Sequence, residues 1–342
     1  MQTLNKAHQL TDLEKVRKIT KLIRYGEKRL RRKFSFLENQ NTIGLCIFSF
    51  SILGMLLTSY FYIQGLLNIW VTIFINAVLA SFLHELEHDL IHGLYFKDTW
   101  IEKLMMWGVW IFRGNTPNPF YRKKIHLHHH KFSGQFSDIE EQMIGNGMKY
   151  NFLRFLVMLD QQLSFLINVN RVSKTSPELN KNEMFRSGFP VLVIFYTMLY
   201  TFIIGNLLFA INNFFNFNFF PNDLVKILDY VNILAVIYLI PNFIRQASLQ
   251  FISSTMHYFG DVDPSKVGLL QQTQVLNKWY FIPFHLFCFN FGSTHGIHHF
   301  VVNQPFYLRQ MIAPVAHKAM KKYGVRFNDL GTFKRANRFQ LT

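Results

Sequence analysis

The sequence has few cysteines, few acidic residues and one long stretch with no charge at all. Cys46 and Cys288 are its only cysteines and form no C-x-x-C pair, which excludes a disulfide framework. We expect both to be small buried hydrophobic residues. Asp and Glu total 20 against 36 Lys and Arg, a net charge of +16. With 50% hydrophobic and 16% charged residues, the chain is too apolar for a typical soluble protein.

The uncharged stretches predict membrane spans. No charged residue occurs from Asn39 to Leu83. As one helix this run would be roughly 65 Å long, about twice the ~30 Å hydrocarbon core of a membrane. It therefore predicts a helical hairpin that turns near Gln64-Gly65. Pro241 is expected to kink the fourth and least apolar span. The predicted spans are 42–63, 68–90, 189–211 and 225–248.

The distribution of positive charge predicts how the chain is oriented in the membrane. Ten Lys or Arg residues lie between Lys15 and Lys33, and segment 93–188 carries many more. The connections 64–67 and 212–223 carry none. Under the positive-inside rule the basic segments, both termini and the active site are cytoplasmic. A basic stripe beside a span is expected to face anionic lipid headgroups, so no nucleic acid is predicted as a partner.

Eleven of the 14 histidines fall in four groups, each at the end of an apolar stretch. At spacings of i, i+3 and i+4 the imidazoles share one face of a helix. Neutral imidazole is the commonest biological metal ligand. Four spans bring all four groups to the same side of the membrane, so the pattern predicts a polynuclear metal site there. The groups are His84, His88 and His92; His126, His128, His129 and His130; His257; and His295, His298 and His299.

Once the carboxylate-bridged di-iron bundle is set aside, three interpretations of the residues remain. His84, Glu85 and His88 spell H-E-x-x-H, the ligands and general base of zinc metalloproteases, but a protease leaves the other groups without a role. A carboxylate-bridged di-iron bundle needs two Glu-x-x-His units, and the sequence has one. Nine nitrogens exceed the three or four protein ligands of one zinc and fit two metal ions, and a nitrogen-rich redox site points to iron. A non-catalytic histidine-rich metal- or lipid-binding membrane protein is the third interpretation.

From about residue 45 to 310 the sequence resembles the membrane fatty acid desaturase and hydroxylase superfamily, whose members carry three histidine boxes. Box one is matched by His88-Asp-Leu-Ile-His92-Gly-Leu-Tyr-Phe96, and box two by His126 to His130 with Lys131-Phe-Ser-Gly134. Box three is matched by His295-Gly-Ile-His298-His299 with Pro305 and Tyr307. The resemblance implies a membrane desaturase-like domain over 41–310, a helical cytosolic cap that carries the boxes, a basic N-terminal segment 1–40 and a C-terminal tail 311–342.

The resemblance also implies the metal ligands. His84 is a further candidate ligand or an outer partner, and His128, His8, His285 and His317 match no ligand position. Carboxylates near the boxes are candidates to accept the second ring N–H of a ligand; we expect only some of them to do so and most of them to be solvated. These carboxylates are Glu85, Glu87, Asp89, Asp138, Glu140 and Glu141. The implied iron ligands are His88, His92, His126, His129, His130, His257, His295, His298 and His299.

The implied activity is O2-dependent oxidation of an unactivated C–H bond at a di-iron centre, with no catalytic residue beyond the metal ligands. Fatty acyl desaturation on a lipid or thioester is the favoured reaction. Hydroxylation is the alternative, since His257-Tyr-Phe-Gly260 also resembles a motif of membrane alkane hydroxylases. Box three begins with His295 rather than the Gln of desaturases that carry a fused haem domain, and no such domain is visible. Electrons are therefore expected from a separate acidic carrier such as ferredoxin or cytochrome b5.

Overall fold

The computed structural model describes residues 10–176, 180–217, 219–257, 260–263, 265 and 267–335. The predicted all-α fold is confirmed: within these residues there is no β-strand, only an isolated bridge between Val275 and Phe327. The helices are α1 Asp12–Lys33, α2 Gln40–Ile63, α3 Ile69–Ile91, α4 Trp100–Arg113, α5 Pro119–Phe132, α6 Ile139–Met143, α7 Phe152–Leu159, α8 Gln161–Thr175, α9 Lys181–Ser187, α10 Val191–Phe215, α11 Asn222–Leu234, α12 Ile240–Met256, α13 Ile282–Phe287, α14 Phe291–Phe300, α15 Phe306–Lys322 and α16 Thr332–Arg335.

Four helical segments are long and apolar enough to cross a membrane: α2, α3, α10 and the continuous helix from Asn222 to Met256. They correspond to the four predicted spans. The fourth is 35 residues long, well beyond the predicted 225–248, and it ends with His257 as its C-cap. The helices α7 and α8 are also apolar enough together, but they are bent by 116°.

The long fourth span contains a wider turn just before Pro241. Residues Ala235–Leu239 are π-helical, and α12 follows directly. Proline has no N–H, so the carbonyl four residues earlier loses its helical partner. That carbonyl belongs to Ile237, and the side-chain amide of Asn76 on α3 donates to it at 2.8 Å. The bend predicted at Pro241 is therefore a π-helical turn that a buried asparagine of the second span stabilises.

The basic N-terminal helix α1 packs against the helix that follows the third histidine box. Thr11 and Glu14 form a capping box at its start. On one face Ile19 and Ile23 are fully buried among apolar residues of α15 such as Ile312 and Ala316, while most of its Lys and Arg side chains are exposed. The stretch predicted as a C-terminal tail therefore begins inside α15.

The two cysteines differ in burial. Cys288 is buried, as expected, and packs with Ile252 and Phe291. Cys46 lies exposed on α2, so the expectation of a buried residue is wrong for it. Most of α2 is exposed apolar surface, so a small apolar side chain there needs no protein neighbour.

Candidate metal centre

The histidine boxes lie at helix ends that converge on one point. Box one occupies the C-terminal end of α3, where His92 is the C-cap. Box two lies on α5 and box three on α14. Because H-x-x-H-H and H-x-x-x-H repeat at helical spacing, each helix turns its imidazoles toward the same centre. The C-cap of α12, His257, adds a fourth direction.

The nine implied ligands form two groups. The five-histidine group contains His88, His92, His126, His130 and His298, and the four-histidine group contains His129, His257, His295 and His299. Within each group one nitrogen from every residue lies within 4.8 Å of all the others. Seven of the nine side chains are buried and two are half-buried. Two such groups would supply four or five nitrogens to each of two metal ions.

The spacing of the nitrogens fits metal coordination. Nε2 of His298 lies 3.0 Å from Nε2 of His92 and 2.9 Å from Nε2 of His130. In the four-histidine group, Nε2 of His295 and Nε2 of His299 are 3.1 Å apart. Two imidazoles bound at right angles to one metal, each about 2.1 Å from it, would place their nitrogens about 3.0 Å apart. The nitrogens thus lie at the separations that a shared cation requires.

Burial keeps most of these imidazoles neutral, which is the metal-binding form. Burial, reinforced by neighbouring histidines, lowers the pKa of His92 to about 2 and lowers the pKa of His298 and His299 well below the ordinary value. Neither ring nitrogen of His88 has a hydrogen-bond partner within the described chain. Buried polar atoms are normally partnered, and a cation bound through the lone pair of one ring nitrogen would account for that atom.

Two carboxylates orient ligands of box two. His129 Nδ1 donates to Asp138 at 2.9 Å, and His126 Nδ1 donates to Glu140 at 2.7 Å. Burial alone would lower the pKa of His129, but the charge of Asp138 outweighs burial and raises this pKa to about 10. Such contacts fix the tautomer and turn Nε2 toward the metal. Glu141 Oε1 is farther from the ligands, 3.7 Å from Nε2 of His257, and accepts from Ser253 Oγ at 2.8 Å.

One glutamine supports ligands from two helices. His257 Nδ1 donates to the backbone carbonyl of Gln272 at 3.1 Å, and His299 Nδ1 donates to its side-chain oxygen at 2.9 Å. Gln272 lies in the loop between α12 and α13 and is buried. It therefore couples the end of the fourth span to box three. No motif in the sequence pointed to this residue.

The three carboxylates of α3 pair with arginines, although Asp89 Oδ1 also lies 3.8 Å from Nδ1 of His88. Arg309 Nη2 lies 2.9 Å from Glu85 and 3.1 Å from Asp89. Glu87 accepts from Arg113 and Arg122. Only some of the six candidate carboxylates therefore contact ligand histidines closely, but the expectation that most of them are solvated is wrong. Five of the six are buried, and the three on α3 form ion pairs with arginines. Burying a carboxylate without a cation is costly, which explains why arginines accompany each of them.

The remaining histidines lie outside both groups. His84 is buried and belongs to neither, and His128 stacks beside Phe132. His285 and His317 hydrogen-bond the backbone carbonyls of Leu276 and Ser293 at 2.9 and 2.7 Å. His8 lies outside the described residues. The H-E-x-x-H motif is thus not arranged as a zinc site, because Glu85 pairs with Arg309 and His84 lies apart from the clustered nitrogens.

Comparison with known protein families identifies the family of this chain. The model of the fatty acid desaturase family matches residues 64–331, most of the sequence, including every box. The chain belongs to the fatty acid desaturase family. A search of curated proteins found no match to this desaturase-family chain. This membership confirms the resemblance to the superfamily. It identifies the protein as an enzyme of the type that modifies fatty acids.

A cavity of about 150 Å³ extends from the histidines of this family member toward its membrane-spanning helices. His88, His126, His129 and His295 border one end. Apolar side chains such as Ile139, Phe165 and Leu192 form much of the wall. The cavity lies between α5, α8, α10 and α12 and is bordered by members of both histidine groups.

Proposed function

We propose that this protein is a membrane-bound fatty acyl desaturase that uses two iron ions and O2 to introduce a double bond into an acyl lipid or thioester. The observation that carries the proposal is the division of nine buried or half-buried histidines into groups of five and four beside an apolar cavity. The family membership supports the same reaction class.

The donor set fits iron. Within the described residues each group consists of imidazole nitrogens alone, and nitrogen-rich sites with redox work favour iron. The five-histidine group would hold one ion and the four-histidine group the other. Bound there, the two ions would supply O2-dependent C–H activation. The hydrogen bonds from His129 to Asp138 and from His299 to Gln272 orient the rings before metal binding.

The remaining residues position the substrate and exclude water. The wall of Ile139, Phe165 and Leu192 accepts an aliphatic chain, and its burial favours methylene groups over water. The end of the cavity nearest the histidines is bordered by His88 and His295, one from each histidine group. A methylene held there lies beside both proposed ions, as hydrogen removal requires.

The basic helix α1 is the proposed docking site for an external electron carrier on the cytoplasmic side. Its exposed Lys and Arg residues form a positive surface that suits an acidic partner such as ferredoxin or cytochrome b5. The helix lies directly behind box three, where Thr20 Oγ1 is 3.5 Å from the carbonyl of Phe300. An acidic carrier on α1 would therefore be one helix away from His298 and His299.

Expression in a host of known lipid composition, with functional electron carriers, tests the proposal. Mass spectrometry of the total lipids should reveal a fatty acyl species that is two mass units lighter and carries a new double bond. A new hydroxyl group would instead identify a hydroxylase. Unchanged lipids in cells that contain the folded, iron-loaded protein would refute both reactions. The His130→Ala variant at matched expression is the negative control.

A further inference from the structure

One side of the cavity carries polar residues that the proposed reaction does not use. On α12, Gln246, Gln250 and Ser253 line it at spacings of four and three residues. They form a stripe about 10 Å long at 1.5 Å per residue. His84 and Thr116 line the cavity as well. We call these five residues the polar wall; Ile139, Phe165 and Leu192 belong to the apolar remainder of the lining.

Several polar atoms of this wall have no hydrogen-bond partner among the residues that the structure describes. Both ring nitrogens of His84, the hydroxyl of Thr116 and Oε1 of Gln250 are buried without a hydrogen bond within the described chain. The three side chains are 1%, 2% and 3% exposed. Buried polar groups are rarely left unpaired, because each lost hydrogen bond destabilises the fold. A plain methylene chain would leave them unpaired in the complex too.

The position of His84 relates the polar wall to the reacting centre. It lies one helical turn before His88 of the five-histidine group. The ring of Phe291 is 5.6 Å from the ring of His84 and 4.1 Å from that of His295, a member of the four-histidine group. His84 therefore lies beside both histidine groups. On α3 it is nearer than His88 to the middle of the membrane-spanning helix.

The two arginines that line the cavity already pair with a carboxylate. Arg113 and Arg122 line the cavity, but both contact the carboxylate of Glu87. Arg245 Nη2 donates to Oε1 of Gln246 at 2.9 Å, so the amide N–H groups of Gln246 remain available to other acceptors. The polar wall thus presents neutral donors and acceptors.

We propose that the cavity binds an aliphatic chain that carries a hydroxyl or amide group a few carbon atoms from the reacting carbon. His84, Thr116 and Gln250 are the positioning residues that hydrogen-bond this group, while the apolar side chains hold the hydrocarbon. This inference rests on the proposed function and narrows its substrate to chains that react close to a polar substituent, rather than in the middle of an unsubstituted acyl chain.

Binding of two matched esters tests the inference without turnover. Methyl 3-hydroxyhexadecanoate and methyl hexadecanoate differ by one hydroxyl, and each is titrated into the full-length protein in detergent while the melting temperature is followed. We expect the hydroxy ester to bind about tenfold more tightly, the effect of one or two net hydrogen bonds. Equal affinity for the two esters would overturn the inference.

Variants assign the preference to the polar wall. Thr116→Val removes only a hydroxyl, and Gln250→Leu and His84→Phe replace unpaired polar groups by apolar ones. Each variant should lower the ratio of the two ester affinities from about ten toward one. The melting temperature without ester should stay unchanged or rise, since an unsatisfied buried polar group is removed. Ser254→Ala, on the same helix but outside the cavity lining, should keep the preference. A preference that persists in all three variants would refute their role.

Lipid analysis separates this inference from the proposed function. A new double bond next to a hydroxyl or amide group supports both, whereas a double bond far from any polar group supports the proposed function and refutes the inference. Ester preference without any lipid modification in a competent host would support the cavity assignment and refute the desaturase.

Discussion

Arg309 on α15 hydrogen-bonds the carboxylate of Glu85 on α3 at 2.9 Å, across 224 positions of the sequence. The same guanidinium nitrogen lies 3.1 Å from Asp89. Asp89 in turn accepts from the hydroxyl of Tyr95 at 2.9 Å and from the backbone N–H of Phe306 at 2.8 Å. Arg309 thus joins the second span to the helix after box three, through two carboxylates that flank His88 of box one in the sequence.

Replacement of Arg309 by methionine should strongly destabilise the protein. The arginine is 1% exposed, and its loss leaves two buried carboxylates without a cation, which typically costs about 3–5 kcal/mol. Arg326 is the matched control, since it also contacts two carboxylates, Asp261 and Asp329, but at the surface. Arg326→Met should cost about 1 kcal/mol or less. Thermal unfolding of the detergent-solubilised proteins measures both, and equal losses would contradict the bridging role of Arg309.

Glu85→Gln should weaken the enzyme without abolishing it. Glutamine keeps the length of the side chain and one acceptor for Arg309, so the expected loss is about 1–2 kcal/mol of stability with both iron ions retained. A zinc protease that used Glu85 as its general base would lose all activity instead. Lipid modification and metal content of the variant, measured beside the parent, distinguish the two. Complete loss of lipid modification with normal iron would contradict the structural assignment.

The membrane spans and the clustering of the nine box histidines were predictable because their signals are local. The absence of charge from Asn39 to Leu83 indicates one helical hairpin. Helical spacing within each box places its imidazoles on one face of the helix. The carboxylates Asp138 and Glu140 lie within 9 and 14 residues of the histidines they contact, so proximity in the sequence already favoured them.

The supporting contacts were not predictable because they depend on tertiary packing. Nothing in a sequence pattern pairs Arg309 with Glu85 or directs Gln272 to two histidines. The carboxylates of α3 looked equivalent to Asp138 in the sequence, yet arginines from other helices engage them. The π-helical turn before Pro241 likewise depends on Asn76, a residue of a different span.

Asp138→Asn should lower iron affinity about 10- to 100-fold, the usual effect of losing a carboxylate that orients a ligand histidine. Asparagine retains an oxygen to cap α6, so the local fold is expected to persist. Iron retained after dialysis against graded chelator concentrations is the measurement. Glu183→Gln serves as the control because Glu183 pairs with Lys124 at the surface, 2.8 Å away. Parental iron affinity in the Asp138 variant would refute its orienting role.

The division into five and four histidines predicts iron content group by group. The parent should hold two iron ions per chain. His130→Ala, in the five-histidine group, and His257→Ala, in the four-histidine group, should each hold about one, and the double variant none. His128→Ala should keep two, since His128 neighbours the ligands in sequence but belongs to neither group. Elemental analysis of purified protein gives these ratios.

Activity then separates metal loss from misfolding. The proposed C–H activation needs both ions. His130→Ala and His257→Ala should therefore each abolish lipid modification although one ion remains bound. The retained ion shows that the other group is still assembled, so a general loss of structure does not explain the inactivity. One zinc per parent chain would refute the di-iron assignment. An active His130→Ala variant that lacks one ion would show instead that the four-histidine group suffices for catalysis.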